Sequence, residues 1–89
     1  MKLSMMINYI SDFQSSAKQV VELEKVGLDM VWVAEAYSYD AISQIGYLAA
    51  VTNKLQIGTG IINVYSRTPA LVAMTAAGCD YVSNGRFIL

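Results

Sequence analysis

The sequence predicts an α/β fold in which parallel strands alternate with helices, and two observations carry that expectation. Four short apolar runs begin near residues 3, 30, 55 and 86, a spacing of roughly 30 residues that suits one strand–helix unit each. Between them lie three segments whose apolar residues recur at helical spacing, bounded by side chains that start and stop helices.

The first run, Leu3 to Tyr9, predicts a strand over 3–8, followed by Ser11 and Asp12, whose oxygens can accept from free N–H groups at a helix start. From Phe13 to Val26, Ala17, Val20, Val21 and Leu23 share one side while Lys18, Glu22 and Lys25 take the other. Gly27 supplies a left-handed stop. Met30 to Ala34 is continuously apolar, as expected of a strand covered on both faces, and that strand (30–35) ends at Glu35. Asp40 then caps a helix over 41–52 with Ile42, Ile45, Leu48 and Ala49 on one face.

Residues 55–62 read as the third strand, in which Gly58 and Gly60 imply close approach to the backbone. Thr68 caps the third helix, and Pro69 fits its first turn because the missing N–H would have had no partner there. That helix is expected to turn Leu71, Met74, Gly78 and Val82 toward the sheet and to end at Ser83-Asn84-Gly85, before a fourth strand at 86–89. Met5, Trp32 and Ile57 are expected on the sheet's inward face, away from the helices.

The order is therefore β1α1β2α2β3α3β4. The turns leading into strands are short, whereas the loops leaving the second and third strands, 35–40 and 63–68, are longer and polar. In a parallel barrel those loops build the catalytic face, so candidate site residues belong there. A doubly wound open sheet shares the alternation. However, Gly58-Thr59-Gly60 has no third glycine and no helix start behind it, and a dinucleotide fingerprint belongs after the first strand.

Composition excludes several classes. With 55% apolar and 15% charged residues the chain has the makings of a packed core. Six basic and seven acidic residues give a net charge of −1 with no run of either sign, which argues against nucleic acid or an anionic membrane surface as partner. Cys79 is the lone cysteine and there is no histidine, so no metal site is expected and a reducing cytoplasm fits. Ser4 and Asn8 break the apolar start that a signal peptide would need. No run reaches the roughly 18 residues of a membrane span, so a soluble protein is expected.

Three stretches, V-W-V-A-E-A-Y-S-Y-D (31–40), G-T-G-I-I-N-V-Y-S-R-T-P (58–69) and D-Y-V-S-N-G-R-F-I-L (80–89), resemble the luciferase-like flavin and deazaflavin oxidoreductases, in their coenzyme F420-dependent branch. The resemblance implies a luciferase-like (β/α)8 TIM barrel. Since such a barrel takes about 250 residues, residues 1–89 are expected to be an incomplete domain that stops at the start of strand 4. It further implies a hydride passed between F420 and a small organic substrate, with FMN and oxygen-dependent monooxygenation as the alternative. A homo-oligomer is expected of the full-length protein. A reading of another class is a catalytically silent fragment or assembly module, unable to fold stably without the rest of the barrel.

Residue by residue, Glu35 falls where F420-dependent relatives carry an aspartate and Ala36 where they often carry a histidine. The resemblance thus leaves Glu35 as the catalytic acid–base candidate; the alternative is that it caps a loop or pairs with an arginine. Gly60-Ile61 matches the place of a cis peptide and bulge that back the deazaflavin ring, although strand glycines also serve tight packing. Asn63, Tyr65, Ser66 and Arg67 offer an amide, hydroxyls and a guanidinium to a polar ring edge, with Gly60, Ile61, Asn63 and Arg67 as the cofactor-binding set. Arg67 has an alternative as an ion pair with Asp40 or Glu35. Tyr37 and Tyr39 line the pocket or cover the core's rim, while Met5, Met6, Trp32 and Cys79 read as core.

Overall fold

The computed structural model describes residues 1–9 and 12–89. Ser11, expected at the first helix cap, lies outside them. The elements are β1 (Ser4–Met6), α1 (Phe13–Lys25), β2 (Met30–Ala34), α2 (Ala41–Val51), β3 (Gln56–Ile61), α3 (Pro69–Val82) and β4 (Phe87–Ile88). The strands form one sheet in the order β1-β2-β3-β4, every pair parallel. Sequential order and parallel pairing match the expected barrel succession.

Local chemistry sets the helix ends as expected. Asp12, Asp40 and Thr68 have extended backbones, and their side chains accept from the N–H of Ser15, Ser43 and Leu71, three residues on. Gly27 and Gly85 take positive φ, 106° and 78°, where the chain leaves α1 and α3.

The core lies between one face of the sheet and the helices. Val31, Val33 and Ile57 meet Val20 of α1, Ile45 and Leu48 of α2, and Cys79 of α3, all buried. Met5 and Phe87 pack against this cluster, and the register pairs Met5 with Val31 and Ile57 with Phe87. Met5 and Ile57 thus face the helices and not the sheet's other side, which corrects the expectation for both. Alternation along a strand leaves Met6, Trp32, Gly58 and Ile88 on that other side, as the pairings Met6–Trp32 and Gly58–Ile88 require.

The expected face of α3 also needs correction. Leu71, Met74, Gly78 and Val82 are exposed, while Cys79 and Ser83, one turn on, are buried and Val72, Thr75 and Ala76 are partly covered. Small side chains let α3 lie close to its neighbours, and the bulkier stripe points outward.

Two charged side chains hold the end of the sheet where the strands begin. The buried Glu24 carboxylate accepts from the backbone N–H of Asn53, Lys54 and Leu55 at 2.8–3.1 Å. Burial alone would raise its pKa, but those N–H groups and the nearby Arg86 charge hold it below the ordinary value. Arg86 donates to the Ser83 carbonyl at 2.6 Å, the Thr52 hydroxyl at 2.7 Å and the Ala49 carbonyl at 2.9 Å, closing the C-terminal end of α2.

Gly58 shows why the third strand needs a glycine. A Cβ there would lie 2.5 Å from Cζ3 of the Trp32 ring. Gly58→Ala is expected to destabilise the protein by about 1–3 kcal/mol through overpacking, read as a lower denaturant midpoint. Adding Trp32→Leu should restore most of that loss; an unchanged midpoint in Gly58→Ala alone would count against the contact.

Candidate active-site cleft at the carboxyl ends of the strands

Parallel pairing brings the carboxyl ends of β2 and β3 to one edge, and the loops that leave them face each other there. Between them lies a cleft of about 780 Å³ lined by residues 35–40 and 61–67. Glu35, Ile61, Asn63 and Arg67 therefore converge on one place, as expected. Tyr37 and Tyr39 line it too, along with Tyr65 and Ser66. Gly60 lies beside the lining and not in it.

One carboxylate organises the cleft. Glu35 Oε1 accepts from Arg67 Nη1 at 2.8 Å and Oε2 from Arg67 Nη2 at 2.7 Å, a bidentate pair. Oε2 also accepts from the N–H of Ala41 at the start of α2, at 2.8 Å, and Oε1 from the N–H of Asn63 at 2.9 Å. The side chains of Arg67 and Glu35 are 13% and 10% exposed, so the pair is shielded from solvent. Arg67 Nη1 donates a further bond to the Asn63 carbonyl at 3.0 Å, and Asn63 Oδ1 accepts from the Tyr65 N–H at 2.9 Å, folding the second loop onto itself.

The electrostatic result is a carboxylate held far on its ionised side. The Arg67 guanidinium, set against the opposing cost of burial and joined by the N–H groups of Asn63 and Ala41, lowers the Glu35 pKa from 4.5 to about 2. Arg67 is raised above its ordinary value by the same contact. A group ionised at neutral pH and accepting four hydrogen bonds is suited to fixing geometry, whereas a proton-transfer group needs a pKa near the working pH. The ion-pair alternative for Glu35 and Arg67 is thus the arrangement observed. The sequence carried no signal for the Ala41 N–H as a partner except that Glu35 stands shortly before a helix start.

The bulge expected at Gly60 is present. Val33 pairs with Thr59 and Ala34 with Ile61, so Gly60 is an extra residue in β3, and the Glu35 N–H donates to the Ile61 carbonyl at 2.9 Å beyond it. No peptide bond among the described residues is cis, which corrects the expectation for Gly60-Ile61. The extra residue shifts the register by itself. A side chain at Gly60 would meet Met6 Cε at 3.3 Å, so a glycine also suits the crowding against β1.

A parallel strand–helix succession with a polar, ion-paired cleft at its carboxyl edge is the architecture of barrel enzymes whose loops carry the chemistry. The chain belongs to the luciferase-like monooxygenase family, whose model matches residues 1–89. It is 35% identical over 91 residues to a Mycobacterium tuberculosis protein provisionally named a coenzyme F420-dependent oxidoreductase, covering 100% of this chain and 26% of that protein. It is 37% identical over 67 residues to the 5,10-methylenetetrahydromethanopterin reductase of Methanolobus tindarius, covering 74% of this chain and 21% of the relative. Among solved structures, the coenzyme F420-dependent tetrahydromethanopterin reductase of Methanopyrus kandleri superposes with a TM-score of 0.86 at 26% identity, over 98% of this chain and 25% of that one. The monooxygenase RslO1 of Streptomyces bottropensis shares the fold, with a TM-score of 0.82 at 19% identity over 100% of this chain and 32% of that one. The chain therefore spans about a quarter of the length of such relatives.

Among the described residues no helix is long and apolar enough to cross a membrane, and no cluster of His, Cys, Asp and Glu is suited to a metal.

The lowered Glu35 pKa fixes the sign of a pH effect. A carboxylate whose folded pKa lies below its unfolded value contributes stability that is complete above the unfolded pKa, near 4.5, and lost as pH falls toward about 2. Unfolding free energy measured against pH should decline through that window, and Glu35→Gln should flatten the decline. The variant should also be about 3–5 kcal/mol less stable at pH 7, because Arg67 keeps its charge without its partner. An identical acid slope in variant and parent would refute the assignment.

Proposed function

We propose that this chain contributes the first part of the active site of an oxidoreductase that passes a hydride between coenzyme F420 and a small organic substrate. The observation that carries the reading is the Glu35–Arg67 pair, which ties the two loops leaving β2 and β3 into one rigid wall of a cleft at the sheet's carboxyl edge. Support for the deazaflavin comes from the name of one relative and from that of the solved reductase that superposes on it. When bound, F420 supplies the two-electron hydride chemistry; the protein's part is to position the ring and exclude water.

In this reading Glu35 is a positioning residue and not the proton-transfer group. Arg67 is largely committed to Glu35 and the Asn63 carbonyl, so it shapes the ring's seat more than it binds the ring. Ile61, 56% exposed at the cleft, offers the apolar surface for the ring, and the Gly60 bulge sets its angle. The Asn63 amide is the polar group on this side. The reading carries with it a cytoplasmic location, a small-molecule substrate and a homo-oligomeric holoenzyme.

Titrating the full-length protein with F420 and with FMN tests the cofactor. F420 binding with hydride transfer and no oxygen consumption is expected; FMN binding with oxygen consumption would move the assignment to flavin-dependent monooxygenation. Arg67→Ala should weaken F420 binding at least tenfold, since the loop loses its tie to Glu35. Arg67→Lys should recover little, because an ammonium cannot reproduce the bidentate contact. Unaltered affinity in Arg67→Ala would remove the ion pair from the site.

A further inference from the structure

Tyr37 has a backbone conformation that its local structure does not explain. Its φ is 61°, in the left-handed region, where a bulky side chain is a genuine outlier. The other non-glycine residue of this kind, Asn84, sits at the end of α3, where asparagine is a common stop. Tyr37 lies in the middle of the loop from Glu35 to Asp40, and the strain is internal to that loop. Glycine would relieve it.

The Tyr37 side chain is fully exposed, at 109% of its reference area, and so is that of Tyr65 in the facing loop, at 99%. Both residues line the cleft. Among the described residues neither ring packs on another ring or makes a side-chain hydrogen bond. Tyr39, by contrast, is partnered by Tyr9 with ring centroids 6.3 Å apart, and Tyr9 donates to the Ala34 carbonyl at 2.8 Å. The loops bearing Tyr37 and Tyr65 are held together by the Glu35–Arg67 pair, and the Asn63 side chain fixes the Tyr65 backbone. Two unpartnered aromatic rings are thus presented to one cleft from its two loops, one of them at the expense of a relaxed backbone.

We propose that Tyr37 is a specificity-determining residue of this cleft, acting with Tyr65 to select a substrate that carries a flat, conjugated ring. Aromatic faces favour offset or edge-to-face contact with another ring over contact with a puckered saturated ring of equal size. This inference rests on the oxidoreductase reading of the same cleft and adds the substrate's class to it.

The test uses naphthalene-2-carboxylate and decahydronaphthalene-2-carboxylate as probes, equal in charge and similar in size but flat and puckered respectively. Affinities are measured by calorimetry on the full-length protein, alone and with F420 added. The unaltered protein should favour the flat probe by about tenfold. Tyr37→Gly and Tyr37→Ala should lose most of that preference, and Tyr37→Phe should keep it. Tyr37→Gly should melt no lower than the parent, because it removes the strain along with the ring.

A preference that persists in Tyr37→Gly would overturn the proposal, as would a lower melting temperature in that variant, which would make the ring structural. Competition between the flat probe and F420 would place the tyrosines on the cofactor and also overturn it. Failure of F420 to bind the unaltered protein would sink the deazaflavin reading separately, and the ring preference would still decide this one.

Discussion

The cleft depends on a single carboxylate with every acceptor direction filled. Glu35 collects two bonds from Arg67, one from the first turn of α2 and one from the loop after β3. These partners come from two places in the chain, the start of α2 and the loop after β3, and that loop reaches Glu35 only when β2 and β3 are paired and the bulge at Gly60 has set its direction. A shielded ion pair is weak evidence of net stabilisation, because desolvation offsets much of the attraction. Its value here is geometric: a planar guanidinium against a planar carboxylate permits one relative orientation of the two loops.

The opposite end of the sheet uses charge for another purpose. Glu24 serves as acceptor for three successive N–H groups ahead of β3, and Arg86 serves as donor for the Ala49 carbonyl and the Thr52 hydroxyl where α2 ends. Both side chains stand in for backbone partners that the turns cannot supply. At the Glu24–Arg86 end the charged groups are committed to backbone turns, whereas at the Glu35–Arg67 end the ion pair joins two loops that carry exposed rings around a cleft. That asymmetry agrees with the general placement of chemistry at the carboxyl edge of parallel strands.

The fold was legible because each element announces itself locally. Apolar runs, capping side chains and left-handed glycines gave the order of strands and helices, and Asp40, Thr68 and Gly27 act as their chemistry suggests. Which face of α3 packs inward was not legible: size suggested Leu71 and Met74, but close approach selected Cys79 and its small neighbours. The facing of Met5 and Ile57 was missed for a related reason, since both sides of these strands carry apolar residues and register alone decides between them. At the cleft, the residue types and their shared edge could be read, and so could the possibility of a Glu35–Arg67 pair. The Asn63 N–H as a partner of Glu35 could not, because it comes from a distant loop, and neither could the left-handed Tyr37, whose conformation is internal to its own loop.

Trp32 lies on the sheet face turned away from the helices, with its ring across Gly58. It is the lone tryptophan of these 89 residues. Its indole is thus a built-in optical probe of the barrel's interior side: contact with water there shifts its emission to the red, and side chains packed over that face shift it to the blue. The colour of one ring therefore registers whether the sheet has curled around a filled centre, independently of anything that happens at the cleft.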